Sequence, residues 1–455
     1  MIDFARYTAS LIIPLAAGYF LTLLILRLNG NRALSFPMTL SISFGMGFGI
    51  LAQIMLLFGV TGIPFSFGMI SLCLALLSCL IFLYLITQKI ALISLKPVTC
   101  SYPGIKVLSL YLSAALFLLL VFYYIFWRAL NIPVYTYDAV HFIAYNAKVL
   151  FFEKNLIPIK NIEHSSYPLQ VQFIETWISL ALGAWNDQWI KVIFPLALLS
   201  FCVLFFSFLK RKRNSLCAIF GVILLLSSNL LVFHSTISYR DIFLMYFMNG
   251  NLLLILYWIS SKNDSFLYLA SFFAGFGTFT KLEGTLYFVI SLITLFIITG
   301  NVNSNSVKQR ALSLLKYFIP GATICISFYF VKTAMGIPPE KAFIHIGLSN
   351  FSRIPSILTV FFKDLFLTGN WNIVWSLLVA SAVMNFRKIT ANKEIFFLSA
   401  FAGMFFLFYF MNGLFTDNYE WLGGPGSITA VSRIVLHIYP VACALIVLLN
   451  CPEDR

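Results

Sequence analysis

Asp138 and His141 stand three residues apart in YTYDAVHFIAYNAKVLFFEKN, the longest ionisable stretch of an otherwise apolar chain, and His164 and Tyr167 close the same segment in HSSYP. A carboxylate at the head of such a segment is placed to act as a general base toward an attacking hydroxyl or amine. Further ionisable residues recur where apolar runs begin or end: Arg240 with Asp241, Lys281 with Glu283, and Arg433. Arg and Lys at one membrane depth would neutralise a phosphate leaving group, Arg through two parallel N–H donors. Together these are the parts of a group transfer from a phospholipid donor. The plainer reading of Arg240–Asp241 and Lys281/Glu283 is a set of interfacial ion pairs or snorkelling anchors. His164 reads equally well as a structural hydrogen-bonding residue.

The elements that must position these residues are membrane helices. Of 455 residues, 60% are hydrophobic and 10% charged, with a mean hydropathy of +0.93. Charged residues in a soluble domain run near a quarter, so a soluble globular protein is excluded. Apolar runs long enough to cross about 30 Å of hydrocarbon are read at 8–26, 38–59, 67–87, 107–128, 190–209, 215–233, 242–260, 265–280, 284–300, 312–331, 371–386, 395–413 and 430–449. The expectation is an all-α polytopic membrane protein of about thirteen spans. Residues 168–184 carry Gln170, Gln172 and Glu175 and make a poor lipid-facing helix, so they are read as interfacial or shallow.

That choice sorts the charges by side. Loops assigned to the cytoplasm hold seventeen basic residues and four acids, including the run Lys210, Arg211, Lys212, Arg213, whereas the opposite side holds thirteen basic and twelve acidic. Nearly all of the +14 net charge is thus an orientation signal, not a nucleic-acid patch. It places the N-terminus outside, the C-terminus in the cytoplasm and Asp138 on the outer face. All eight cysteines fall in apolar runs or on the basic side, which suggests neither disulfide nor zinc site. The first span has no small-residue cleavage site and reads as an anchor.

Three regions follow. Residues 1–106 form an accessory three-helix bundle in which Gly45, Gly47 and Gly49 suit close packing. Residues 107–300 form the core with its outer loop 129–167, and 301–455 carry C-terminal helices with outer loops 332–370 and 414–429. In the first loop, Asp138, His141, Tyr145 and Lys148 fall on one helical side, and Val140, Ile143, Ala147, Leu150 and Phe151 on the other. Such a helix lies along the membrane surface, apolar face down. Loop 332–370, with Pro338, Pro339, Glu340, Lys341, His345, Arg353 and Lys363, allows further surface helices, and the glycine- and aromatic-rich 414–429 reads as a lid or acceptor-side loop.

On these residues the chain resembles the GT-C fold glycosyltransferases that use polyprenyl-phosphate sugars, the superfamily of protein O-mannosyltransferases, oligosaccharyltransferases and the lipid A aminoarabinose transferase. The resemblance runs from about Val107 to Pro440. YDAVHFIAYNAKVLF followed by HSSYPLQVQFIETWISLALG resembles the aspartate-bearing first outer loop and its trailing YP helix. SYRDIFLMYF resembles a second acidic position, FGTFTKLEGTLYF a TK…G turn, and SRIVLHIYP the start of the last span. The resemblance implies Asp138 as catalytic base with His141 beside it, Asp241 as a second acid near the donor phosphate or a metal, and Lys281 and Arg433 as phosphate contacts. His164, Tyr167 and Glu283 complete the substrate-binding set. Many members follow the first Asp with Glu, whereas here Ala139 follows and His141 is the next polar group.

The implied activity is inverting transfer of a sugar from a polyprenyl-phosphate donor to a lipid, glycan or protein acceptor on the non-cytoplasmic face, in a bacterial inner membrane. No cofactor is required by the sequence. A divalent metal stays open, although His141 and His164 sit in no zinc spacing motif. The competing readings are a transporter or flippase of lipid-linked glycans, which needs mid-membrane charges and inverted repeats, and an O-antigen ligase or polymerase.

Overall fold

The computed structural model describes residues 4–28, 34–88, 105–162, 164–300, 307–338, 344, 347–424 and 426–453. Arg32, Lys89, Lys96, Cys100, Pro339, Glu340, Lys341, His345, Asp454 and Arg455, used in the sequence reading, lie outside the described residues. The described chain is helical: α1 Phe4–Leu28, α2 Phe36–Thr61, α3 Phe67–Thr87, α4 Ile105–Asn131, α5 Ala144–Glu153, α6 Gln170–Leu182, α7 Ile193–Lys212, α8 Ser215–Leu226, α9 Asn229–His234 and α10 Asp241–Ser261. There follow α11 Ser265–Thr280, α12 Glu283–Gly300, α13 Val307–Ala334, α14 Ile354–Phe366, α15 Val374–Met384, α16 Phe386–Ala391, α17 Lys393–Phe415, α18 Tyr419–Leu422 and α19 Ile428–Asn450. Among the described residues the one extended pairing is the Ile344–Thr416 bridge.

Ten of these helices are long and apolar enough to cross a membrane, which makes the chain an integral membrane protein. Three expected spans are shorter. The run 215–233 breaks at Ser227–Ser228, where the Ser228 hydroxyl donates to the Asn370 carbonyl at 3.0 Å and Asn372 donates to the Ser227 carbonyl at 2.7 Å. Backbone groups satisfied from outside the helix no longer require it to continue. Of 371–386, only Val374–Met384 is helix before Asn385, and Ser265–Thr280 at sixteen residues reaches about 24 Å at 1.5 Å per residue.

The chain divides into two compact units. The first comprises 1–207, 234–288 and 315–338. Its centre is α10, whose residues from Asp241 to Ile259 are all buried. Tyr246 in α10 donates to the Ser41 carbonyl at 2.6 Å and accepts from the Gly45 amide at 3.0 Å, tying α10 to α2. A Cβ at Gly47 would fall 1.9 Å from the Pro14 carbonyl oxygen, so α1 and α2 approach backbone to backbone. Gly45 and Gly49 instead face the rings of Tyr246 and Phe276.

Helix α6 differs from its sequence reading. It is short, as expected, but it is enclosed by protein instead of lying at the interface: every residue from Gln170 to Ala181 is buried. The Trp177 indole donates to the Ser10 carbonyl at 2.8 Å and packs at a tilt 4.7 Å from the Phe67 ring, while Thr176 donates to the Ala147 carbonyl at 3.0 Å. Its polar residues therefore face protein, and periodicity cannot distinguish the two surroundings.

The second unit comprises 208–233, 289–314 and 339–455. Here α19 is the buried helix, held by Tyr439 donating to the Leu224 carbonyl at 2.8 Å and by Arg213 donating to the Leu448 carbonyl at 2.7 Å. Loop 414–429 holds the short helix α18, over which Arg353 sits: its guanidinium donates to the carbonyls of Leu414 and Thr416 and stands 4.8 Å from the Tyr419 ring.

Candidate active site

The segment bearing Asp138 opens with a five-residue π-helical turn, Ala139–Ile143, before α5. Single π turns of this kind concentrate at functional sites. Its wider turn also alters which residues face inward. His141, Tyr145 and Lys148 are exposed and Asp138 half-buried, while Ile143, Ala147 and Leu150 are buried, as helical spacing anticipates. Val140, expected on the apolar face, is exposed, and Ala139 takes its inward place. The Tyr137 and His141 rings stack at 4.2 Å, and His141 Nδ1 lies 2.9 Å from the Tyr137 carbonyl oxygen, so the imidazole is clamped against the residue preceding Asp138.

A chain of ring contacts leads from this turn toward α10 within the first unit. Phe142 meets His164 edge to face at 4.2 Å, His164 meets Tyr167 at 5.4 Å, and the Arg240 guanidinium stands 5.1 Å from the Tyr167 ring. His164 holds φ 56°, a left-handed conformation that turns the chain back toward Tyr167. Arg240 precedes Asp241, the first residue of α10.

Asp241 is fully buried beside Lys281, forty residues on, and His234, seven residues before it. Lys281 Nζ donates to Asp241 Oδ1 at 3.1 Å and reaches Glu283 Oε1 at 2.8 Å. His234 Nδ1 lies 3.6 Å from Asp241 Oδ2. Lys281 reaches this position because the α11–α12 junction is sharp: its backbone is extended and the Gly284 amide donates to its carbonyl at 2.9 Å. A Cβ at Gly284 would fall 2.0 Å from the Gly277 carbonyl oxygen, so only glycine fits this TK…G turn.

Above α6, the Ser238 hydroxyl donates to Glu175 Oε1 at 2.5 Å. Complete burial pushes the Glu175 carboxyl up to about 8, against the opposing pull of the Ser238 hydrogen bond and the Arg240 charge. Thr280, immediately before Lys281, donates to Gln170 Oε1 at 3.2 Å.

Within the first unit the turn that follows Asp138 and carries His141 thus meets His164 and Tyr167 through ring contacts, and Arg240 over Tyr167 is the chain neighbour of Asp241, which holds Lys281 and through it Glu283. Arg433 belongs to the second unit, in the second turn of α19. Its neighbour Ser432 donates to the buried Asp364, which also accepts from the Trp371 indole at 3.1 Å. Sequence reasoning missed His234, Glu175 and Asp364 as participants. For His234 a signal existed, a histidine seven residues before Asp241, but it sat at the edge of an expected span. Among the described residues no group of three His, Cys, Asp or Glu is gathered as a metal set requires. No step is therefore derived through a metal.

No protein-family model matches the chain, and no curated protein sequence matches it. Among solved structures it is similar to ArnT from Cupriavidus metallidurans in the apo state, at 14% identity and a TM-score of 0.53 over 74% of this chain. The fold is GT-C-like. The chain spans 60% of the length of that ArnT chain. The same protein bound to undecaprenyl phosphate matches at 12% identity and a TM-score of 0.48, over 72% of this chain and 59% of that one.

Proposed function

We propose that the chain is an inverting glycosyltransferase that moves a sugar from a polyprenyl-phosphate donor to an acceptor on the non-cytoplasmic face of a bacterial inner membrane. The observation that carries this reading is the line of contacts from the Asp138 turn, through His164 and Tyr167, to Arg240 and the Asp241–Lys281–Glu283 cluster. It sets a half-exposed carboxylate at one end and a charge-rich cluster at the other, inside a GT-C-like fold.

In this reading Asp138 accepts the proton of an acceptor hydroxyl or amine as that group attacks the anomeric carbon. The bond from that carbon to the donor phosphate oxygen breaks, and the polyprenyl phosphate leaves with the electron pair. His141, clamped on Tyr137, holds the turn that presents Asp138. Lys281 stabilises the departing phosphate as Glu283, its half-exposed partner, gives up its place, while buried Asp241 keeps the ammonium aimed.

The test is transfer by the purified full chain in lipid, with polyprenyl-phosphate sugars offered as donors. Asp138→Asn should lower transfer by about 10² to 10⁴-fold with melting temperature unchanged. Full activity in that variant, with Arg433→Gln inactive, would instead favour a ligase-type mechanism without an essential acid in the first loop.

A further inference from the structure

A cavity of about 650 Å³ lies beside α5, away from the Asp138 turn, lined by Lys148, Phe151, Phe152, Lys154, the 183–184 turn and Trp185. That volume is within the range of small-molecule sites. Its charge is one-sided. Neither Lys148 nor Lys154 has an acidic partner among the described residues, and no carboxylate lines the cavity. Asp187, the nearest acid in sequence to Trp185, is engaged by the Trp185 indole N–H at 2.6 Å, which also fixes that ring. A third cation stands near: Arg6 Nη1 is 4.0 Å from where a Cβ of Gly183 would lie.

The cavity also sits at a membrane boundary. Lys154, in left-handed conformation at the end of α5, accepts from the Phe65 amide at 2.7 Å, two residues before α3 begins. Leu156 packs on Gly59 at the end of α2. Trp185 precedes by four residues Trp189, which opens the candidate span Trp189–Lys212 and packs on Phe4 and Tyr7 at the start of α1. Ends of four candidate spans therefore meet at one level around it. Phe152 and Ile157, each 63% exposed, extend an apolar surface from the same place. An exposed Phe and a half-buried Trp beside Lys match the composition of the interfacial belt, where rings sit among headgroups and ammoniums meet phosphate.

We propose that this cavity is a binding site for the headgroup of an anionic glycerophospholipid, its phosphodiester held by Lys148 and Lys154 and its glycerol against Trp185 and Phe151. The bound lipid packs its chains along Phe152 and braces α5, the helix that carries the Asp138 turn. The assignment rests on the cavity's own charge and position and stands whether or not the chain transfers sugar.

Native mass spectrometry of the full chain in neutral detergent tests it, with phosphatidylglycerol, phosphatidylcholine and sn-glycerol 3-phosphate as probes. Phosphatidylglycerol should be retained at least tenfold more tightly than phosphatidylcholine. Lys148→Gln and Lys154→Gln should each weaken it about fivefold, as expected for one lysine at an anionic surface. Lys148→Arg should retain it, and Lys160→Gln, at an exposed lysine outside the cavity, should leave it unchanged. Equal retention of the two lipids, or wild-type binding by the double Gln variant, would overturn the proposal. So would an equal loss in Lys160→Gln, which indicates diffuse attraction, or glycerol phosphate binding as tightly as the lipid, which indicates a soluble anion.

Discussion

The guanidinium of Arg240 stands 5.1 Å from the ring centroid of Tyr167, joining the end of the Asp138 loop to the residue that precedes the buried helix α10. A cation over an aromatic face in a desolvated site contributes about 2 kcal/mol. Tyr167 also carries His164 on its other contact, so one ring holds both ends of the loop's return. Tyr167→Ala should therefore lower transfer activity and melting temperature together, whereas Tyr167→Phe, which keeps the ring, should retain most of both. Equal loss in the two variants would assign the effect to the hydroxyl instead.

Glu175 makes stability pH-dependent in an unusual direction. Its folded carboxyl titrates near 8 because burial disfavours the charge, whereas the unfolded carboxyl titrates at 4.5. Between those values the folded state binds the extra proton, so stability falls as pH rises, by up to about 1.4 kcal/mol per pH unit. The loss is complete above pH 8. Thermal melts in detergent from pH 5 to 9 should show this decline, and Glu175→Gln should flatten it.

The ion cluster predicts an asymmetry. Lys281→Met leaves Asp241 fully buried without its lysine and sets Glu283 loose, and breaking a buried pair in this way costs about 3–5 kcal/mol. Asp241→Asn leaves Lys281 with Glu283 at 2.8 Å and removes a buried charge. Chemical denaturation should find the lysine variant clearly the less stable of the two.

Gly284 and Gly300 begin and end nearly the same helix but face different surroundings. A methyl group at Gly284 would overlap the Gly277 carbonyl, whereas among the described residues nothing lies within 4 Å of one at Gly300. Gly284→Ala should cost about 1–3 kcal/mol and displace Lys281, lowering transfer. Gly300→Ala should be neutral in both assays.

Asp364 offers a further check in the second unit. Burial raises its carboxyl, while hydrogen bonds from Ser432, Trp371 and Asn370 pull the other way. It is buried at 0% exposure and braces the turn of α19 that precedes Arg433. Asp364→Leu should strand those donors and lower melting temperature, at about 1–3 kcal/mol for each buried donor left unmade.

By itself the sequence determined the all-helical membrane architecture, the positions of the long spans and the amphipathic character of the Asp138 helix. Those follow from apolar run length and from period, which are local properties: His141, Tyr145 and Lys148 are exposed because they share a helical side. The resemblance also pointed to a TK…G turn at Lys281–Gly284, between two apolar runs. Tertiary structure alone decided the rest. The break at Ser227–Ser228 depends on hydrogen bonds with Asn370 and Asn372, the exposure of Val140 on a π turn, and the burial of Gln170, Gln172 and Glu175 on neighbours from α1, α5 and α11. His234 joined Asp241, and Lys281 reached it across forty residues, because a charge in a low-dielectric interior must find its partner in space, and sequence spacing does not encode that meeting.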